Sequence, residues 1–374
     1  MQGIGIIGCG NISTAYLTLA PLFKGLEVRA VADMNPSAAQ AQAQAFGVRA
    51  NTVDGLLAAD DIDIVVNLTI PDAHFDVTRA ILEAGKHAYS EKPIVLTQEQ
   101  GETLRSLAAD MNLRIGAAPD TFLGGAHQAA RAAIDAGQIG DVVAGTAHVM
   151  SHGMEHWHPN PDFFFLPGAG PMLDIGPYYV TNLVQLLGPV RRVGALTSTP
   201  SKTRTILSEP RRGEVIPVKT PTNIHALLEF VNGATITLST SWDVWAHRHG
   251  NMELYGTEGT MFLPDPNWFS GTVEVTDASG KTHALITDTH PLGVPNQDNN
   301  GQAKANYRTA GLADMAAAMN EGRAHRCSLE LALHAGDVMT SVLKAGETGE
   351  MVTLTTTCTR PEPLTEDDAK ALLK

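Results

Sequence analysis

Short apolar runs alternate with helix-like stretches through the first third of the chain. The apolar runs cover residues 4–7, 28–32, 62–66, 87–90 and 113–115. Between them, residues 37–46 are rich in Ala and Gln, and residues 75–84 are followed by a glycine, a common helix stop. This alternation predicts a parallel sheet with helices on both faces in a first domain, residues 1–122.

The pattern then changes to longer runs in which apolar and polar side chains alternate. Ile236, Leu238 and Trp242 alternate with Thr and Ser, as in a strand with one solvated face. Asn232-Gly233 before them predicts a hairpin with a type I′ turn, which needs positive φ at both residues. Other strand-like runs cover residues 142–150, 190–198, 252–255 and 272–276, and helical patterns cover 309–321 and 329–344. We predict a second, mainly antiparallel domain over residues 123–374, whose C-terminal helices could pack back on the first, and long loops at 200–222 and 290–306.

Charge and cysteine content narrow the class of protein. The 374 residues carry 26 basic and 40 acidic side chains, a net charge of −14, without a Lys/Arg-rich run. We therefore expect no nucleic-acid partner. The three cysteines are widely spaced and favour a reducing compartment. The most apolar stretch, residues 163–190, is broken by Asp174, glycines and prolines, so we expect no membrane span and a cytoplasmic location.

The first strand runs into Gly8-Cys9-Gly10-Asn11-Ile12-Ser13, a G-x-G-x-x-S variant of the dinucleotide fingerprint. Gly8 permits a tight turn and Gly10 a close approach of backbone to pyrophosphate. The helix start at Asn11 and Ile12 offers free N–H groups to the anion. A lone glycine-rich turn is often only a turn, but strand and helix flank this one. The pattern predicts a Rossmann domain.

Asp33 ends the second strand, where an acid accepts hydrogen bonds from the adenosine ribose of a dinucleotide. Its carboxylate would repel the 2′-phosphate of NADP, and neither Met34 nor Asn35 supplies an arginine to accept that phosphate. We therefore predict NAD as the cofactor.

Further motifs follow in a characteristic order: E-K-P at Glu91-Lys92-Pro93, A-G-Q-I-G at residues 136–140, and G-A-G at 168–170 leading into Asp174-Ile175-Gly176-Pro177-Tyr178. With the N-terminal GCGNIS and VADMNP runs, the chain resembles the Gfo/Idh/MocA oxidoreductases. The resemblance implies a Rossmann domain followed by an α/β domain with a large open sheet. It also implies substrates that are mostly sugars, sugar derivatives and cyclitols, and homodimers or homotetramers.

The resemblance further implies that Lys92 contacts the substrate hydroxyl, followed by a peptide bond to Pro93 that is often cis. Asp174 and Tyr178 are four residues apart in a predicted helix, so their side chains would share one face. Many family members have histidine at the position of Tyr178. A tyrosine phenol titrates near pH 10, about four units above a histidine, so it needs a nearby ammonium such as that of Lys92 to act as a base. Lys92 and Tyr178 are thus expected to relay the proton, unless Tyr178 only packs under the sheet.

The resemblance also places Glu91 and His74 on the cofactor side, and Asn67 and Pro71 lie at the same carboxyl edge of the predicted sheet. Residues 152–161 contain His152, His156, Trp157 and His158. A hydroxyl-rich substrate pocket, a zinc site and a packed surface loop all suit this composition. Because a glycine and prolines disfavour a helix here, we predict no metal and assign His156, Trp157 and His158 to substrate binding.

These features together predict an NAD-dependent oxidoreductase that moves hydride between nicotinamide and a hydroxyl-bearing carbon of a sugar, sugar derivative or cyclitol. Two alternatives stay open. One is an NAD-dependent glycosidase that works by transient oxidation and elimination, and the other is a non-catalytic NAD-binding regulator.

Overall fold

The computed structural model describes all 374 residues, and the chain divides by its internal contacts into two compact units. The first unit comprises residues 1–128, 288–333 and 361–374, and the second comprises residues 129–287 and 334–360. The domain boundary between residues 122 and 123 stays a prediction of the sequence.

The first unit is built on a six-stranded parallel sheet. Its strands are β1 (Gln2–Ile7), β2 (Leu26–Ala32), β3 (Arg49–Asn51), β4 (Ile64–Asn67), β5 (His87–Ser90) and β6 (Ile115–Ala117). The connecting helices are α1 (Asn11–Leu19), α2 (Pro36–Phe46), α3 (Val53–Leu57), α4 (Pro71–Glu83) and α5 (Gln98–Asp110). The strand order β3-β2-β1-β4-β5-β6 reverses direction between β1 and β4, where doubly wound sheets bind ligands at their carboxyl ends.

The burial of these strands explains why their apolar runs predict them from the sequence. All four residues of β4 are buried, as expected for a parallel strand covered on both faces. Helix α2 is capped at its start by Asn35, whose side chain accepts from the Ser37 N–H, and at its end by Gly47, which has a left-handed conformation. The sequence missed β3 and α3 because they are short, and two of the three β3 residues are exposed.

The remaining elements alternate between the units. The later strands are β7 (Val142–Met150), β8 (Val190–Ser198), β9 (Thr203–Thr205), β10 (Val215–Pro217), β11 (Asn223–Phe230), β12 (Thr235–Ser241), β13 (Met252–Gly256), β14 (Gly259–Leu263), β15 (Glu274–Asp277), β16 (Thr282–Ala284), β17 (Gln297–Asn299), β18 (Gln302–Lys304) and β19 (Val352–Thr353). The later helices are α6 (Gly125–Asp135), α7 (Pro171–Asp174), α8 (Gly176–Leu187), α9 (Ala310–Glu321), α10 (Leu329–Thr348) and α11 (Glu366–Leu372). None of the helices is long and apolar enough to span a membrane.

The second unit is built on a nine-stranded sheet with the order β16-β15-β14-β13-β7-β12-β11-β8-β19. Only the β7–β12 pair is parallel. Leu228, Ile236 and Leu238 are fully buried on one face, whereas Leu227 on the other face is exposed. A parallel first sheet and a mainly antiparallel second sheet confirm the predicted α/β fold class.

Two details of the sequence analysis are wrong. The β11–β12 hairpin forms, but only Gly233 has positive φ, and its N–H donates to the Phe230 carbonyl at 3.0 Å. The turn is therefore not type I′, because Asn232 keeps a negative φ. The two predicted loops also contain short hairpins, β9–β10 within residues 200–222 and β17–β18 within residues 290–306.

Candidate active site

Two glycines shape the turn between β1 and α1 for different reasons. Gly8 has φ +102°, and a Cβ there would lie 2.5 Å from the Leu68 carbonyl oxygen, so the fold itself requires glycine. Gly10 has φ −76°, which any residue adopts, and a Cβ there would meet nothing within 4 Å. Asn11 and Ile12 follow at the start of α1, and no side chain caps that helix. This open space before free N–H groups fits the pyrophosphate of a dinucleotide.

The carboxylate of Asp33 is held beside this turn at the end of β2. One oxygen accepts from the Cys9 N–H at 2.7 Å, and the other accepts from the Asn35 N–H at 2.8 Å. Each oxygen keeps a lone pair that suits the ribose hydroxyls of NAD. Burial, assisted by the charge of Asp33, raises the pKa of the Cys9 thiol to about 11, so this cysteine stays protonated at neutral pH.

The Glu91-Lys92-Pro93 turn follows β5 and is tied to α1. One Glu91 carboxylate oxygen accepts from the Tyr16 hydroxyl at 3.0 Å, and the other accepts from the Lys92 N–H at 3.1 Å. The Lys92–Pro93 peptide bond is cis, and the Lys92 side chain is half-buried. The backbone that carries Lys92 is thus fixed at the carboxyl edge of the sheet.

His74, buried on α4, contacts the same turn. Its Nδ1 lies 2.6 Å from the Pro93 carbonyl oxygen, and its Nε2 lies 3.0 Å from the Thr69 carbonyl oxygen. The buried amide of Asn67 donates to the His74 carbonyl at 3.0 Å, and its oxygen accepts from Thr69. Pro71 is the first residue of α4. These side chains connect the β4–α4 turn to the Lys92 turn, and their direct contact with a cofactor stays a prediction.

A buried carboxylate, Asp120, follows β6 in the same unit. One of its oxygens accepts from the Thr309 and Gly311 N–H groups, both at 3.0 Å, at the start of α9. Burial raises its pKa to about 6, although these two hydrogen bonds favour the ionised form. Asp120 therefore anchors α9 near the carboxyl end of the sheet.

Asp174 and Tyr178 do not share one helix, which corrects the sequence analysis. Asp174 is the last residue of α7, and Tyr178 lies in the first turn of α8, after Ile175. Pro177 explains the break because it lacks an N–H and is favoured in the first turn of a new helix. Both side chains are half-buried, whereas neighbouring Tyr179 is buried and its hydroxyl accepts from Asn251 at 2.9 Å. Tyr179 is thus the packing tyrosine of this pair.

The histidine-rich segment is split between two environments. His156 lines a cleft of about 940 Å³ in the second unit. His158 instead stabilises its own turn, since its Nδ1 accepts from the Asn160 N–H and its carbonyl accepts from the Ser208 hydroxyl. Trp157 is 56% exposed and lies edge-on to His158, and neither residue lines the cleft. The structure shows no grouping of three or more His, Cys, Asp or Glu side chains that could hold a metal.

The sequence analysis missed three residues that shape these sites. Tyr16 gave no pattern beyond an apolar helix position. Arg204 lies within a predicted loop, and its partners are distant in sequence. Trp245 lies in the Trp242–Gly250 stretch, which contains two tryptophans and two histidines. This composition resembles that of residues 152–161, and it is the sequence signal by which Trp245 could have been found.

The first unit therefore has the geometry of a dinucleotide-binding domain of the oxidoreductase type. Residues 2–118 match the sequence model of an oxidoreductase family with an NAD-binding Rossmann fold, and residues 127–262 match the GFO/IDH/MocA C-terminal domain. The chain belongs to the Gfo/Idh/MocA family.

Individual relatives agree with this assignment. The chain is 30% identical to dTDP-3,4-didehydro-2,6-dideoxy-alpha-D-glucose 3-reductase of Saccharopolyspora spinosa, over 71% of this chain and 76% of that protein. It is 34% identical to inositol 2-dehydrogenase of Rhizobium meliloti over 37% of this chain, and the match spans only 42% of that relative's length. A solved levoglucosan dehydrogenase complex with NADH and L-sorbose has the same fold, with a TM-score of 0.79, 21% identity and coverage of 95% and 100% of the two chains.

Proposed function

We propose that the protein is an NAD-dependent dehydrogenase that acts on a hydroxyl-bearing carbon of a sugar, sugar derivative or cyclitol. The observation that carries the proposal is the Lys92 turn. Lys92 follows β5, at the same edge of the sheet as the open space beside Gly10 and the carboxylate of Asp33. A fixed lysine at the edge where a dinucleotide binds has a ready catalytic use and few structural ones.

Each part of the site has a distinct task in this proposal. Gly10, Asn11 and Ile12 would hold the pyrophosphate, and Asp33 would hold the adenosine ribose and disfavour NADP. When bound, the nicotinamide accepts the hydride. Lys92 polarises the substrate hydroxyl and, with Tyr178, takes its proton.

Asp174 orients the substrate through hydroxyl hydrogen bonds in the same proposal. The names of the relatives support a sugar or cyclitol substrate, since they include an inositol dehydrogenase and a nucleotide-sugar reductase. The three widely spaced cysteines support a reducing, cytoplasmic location, and the family resemblance supports a homodimer or homotetramer, which we propose as the working form of this protein.

The test is NADH formation by purified protein supplied with NAD and pooled aldoses, sugar acids and inositols. Lys92→Ala is expected to lose at least 10²-fold in kcat while its Kd for NAD changes less than threefold, because general acid–base catalysis contributes about 10²–10⁴-fold. Lys86→Ala is a matched control at the other end of β5, where the ammonium donates to the Ala59 and Ile62 carbonyls. It is expected to lower stability and leave kcat unchanged.

Two outcomes would contradict the proposal. Glycoside cleavage without net NADH would indicate the glycosidase alternative. Tight NAD binding without turnover of any pool or glycoside would indicate a regulator.

A further inference from the structure

The cleft of the second unit has walls from three separate segments. They are the end of β7 with the following turn, the β9 region of the hairpin, and residues 243–247 after β12. Its volume of about 940 Å³ is near the top of the range of about 300–1,000 Å³ for small-molecule sites. The cleft is therefore larger than one hexose ring requires.

A buried guanidinium ties these walls together. Arg204 on β9 donates to Glu155 Oε1 at 3.1 Å and pairs with Asp243, while its Nη2 also donates to the Trp242 carbonyl at 3.1 Å. The second Asp243 oxygen accepts from the Thr222 hydroxyl at 2.6 Å. Glu155 and Arg204 are 4% and 8% exposed, so removing the arginine would leave a carboxylate buried without its partner.

The indole of Trp245 lines this cleft. Trp245 is 82% exposed, which is unusual for so large an aromatic side chain, and one of its faces stacks on His152 with ring centroids 3.4 Å apart. The stack holds the ring and leaves its other face open. A flat aromatic face of this kind suits the C–H face of a sugar ring.

The rest of the lining supplies hydrogen-bonding groups rather than charge-pairing ones. Hydroxyl and imidazole groups come from Ser151, Ser201, Thr203, Thr205, His156 and His247, beside apolar side chains such as Met150 and Leu207. Two carboxylates face one guanidinium, so the lining carries a net negative charge. This balance repels phosphorylated or acidic sugars and accepts neutral polyols.

We propose that this cleft binds a neutral glycoside with at least two rings, one of them stacked on Trp245, with Arg204 as the positioning residue that holds the walls. The identification of this ligand as the substrate rests on the proposed dehydrogenase function. Binding itself does not, because the residues that carry it all lie in the second unit.

The first experiment measures binding to the full-length chain without NAD. Calorimetric titration with cellobiose, maltose and phenyl β-glucoside is expected to show saturable binding, at least tenfold tighter than glucose. Trp245→Ala should weaken that binding at least tenfold, and Trp245→Phe should restore most of it. Absence of saturable binding by all three glycosides, or binding that Trp245→Ala leaves unchanged, would overturn the proposal.

Charge selectivity is tested with a matched pair of ligands. In phenyl β-glucuronide a carboxylate replaces the hydroxymethyl group of phenyl β-glucoside. The glucuronide is expected to bind at least tenfold more weakly at low salt. Equal affinities for the two would contradict the inferred neutral ligand.

Arg204→Met tests the positioning role against Arg211→Met. Arg211 lies on the same hairpin, pairs with Asp162 and Glu214 at the surface, and is outside the cleft lining. Arg204→Met should raise Kd or KM for cellobiose at least tenfold and change kcat less than threefold, whereas Arg211→Met should leave both unchanged. If Arg204→Met does not fold, the binding measurements on Trp245→Ala and Trp245→Phe test the proposal.

The two proposals fail in distinguishable ways. Trp245-dependent binding of glycosides without NADH formation from any of them would refute the dehydrogenase proposal and support the cleft. NADH formation from inositols or hexoses, without Trp245-dependent glycoside binding, would refute the cleft alone.

Discussion

The Gly10→Ala variant separates the effect of this position on folding stability from its effect on cofactor binding. The Cβ would enter open space at a φ of −76°, so the free energy of unfolding should change by less than about 1 kcal/mol. The same methyl would occupy the space where the pyrophosphate approaches the backbone. Overpacking by one methyl costs about 1–3 kcal/mol, which corresponds to roughly 5- to 150-fold weaker NAD binding.

Gly8→Ala is the contrasting variant in the same turn. Its φ of +102° and the 2.5 Å approach of the new Cβ to the Leu68 carbonyl predict a stability loss of roughly 2–3 kcal/mol. Urea unfolding measures stability, and calorimetry measures the Kd for NAD. Wild-type NAD affinity in Gly10→Ala would refute the assignment of the pyrophosphate to this space. A stability loss as large as that of Gly8→Ala would refute the reasoning about the turn.

Three further predictions concern the first unit. His74→Phe loses two contacts to carbonyl oxygens, so it should lower stability by roughly 2 kcal/mol and kcat by at least tenfold. The matched variant His87→Phe, at the amino end of β5, should lower stability only. Asp33→Asn should raise the ratio of kcat/KM with NADP to that with NAD at least tenfold, and an unchanged ratio would contradict the assigned contact. The folded pKa of Asp120 is raised to about 6, so the folded state binds this proton more tightly than the unfolded state does. Wild-type stability should therefore fall relative to Asp120→Asn by roughly 2 kcal/mol as pH rises from 4 to 7, and parallel pH profiles in urea unfolding would contradict this.

Several strands were predictable from runs of apolar and β-branched residues. The predicted runs at 142–150 and 190–198 coincide with β7 and β8, and the run at 87–90 coincides with β5. Short elements with exposed residues, such as β3 and the β9–β10 hairpin, carry too few apolar positions to show a period. Pairing with a neighbouring strand, which the sequence does not display, determines that they form.

Local backbone chemistry decided the two turns that the sequence analysis misjudged. Asn232-Gly233 is compatible with more than one hairpin turn, and the structure uses positive φ at Gly233 alone. The spacing of four between Asp174 and Tyr178 suits one helix, but Pro177 lacks an N–H and is favoured in the first turn of a new helix. In the second case the information was present in the sequence.

The nucleotide edge of the first unit and the cleft of the second unit differ in how far the sequence can reveal them, and the cause is physical. The nucleotide edge is built from backbone that approaches a ligand closely, so it demands glycines, a strand end and a helix start within a few residues, as at Gly8 and Gly10. The glycoside cleft is built from side chains that meet across the fold, and Arg204 finds Glu155 and Asp243 at separations of 49 and 39 residues. Such a pairing imposes no local spacing. Relatives that share the nucleotide edge can therefore differ in substrate through changes at a few distant positions, and Arg204 and Trp245 are where we expect this chain's specificity to be determined.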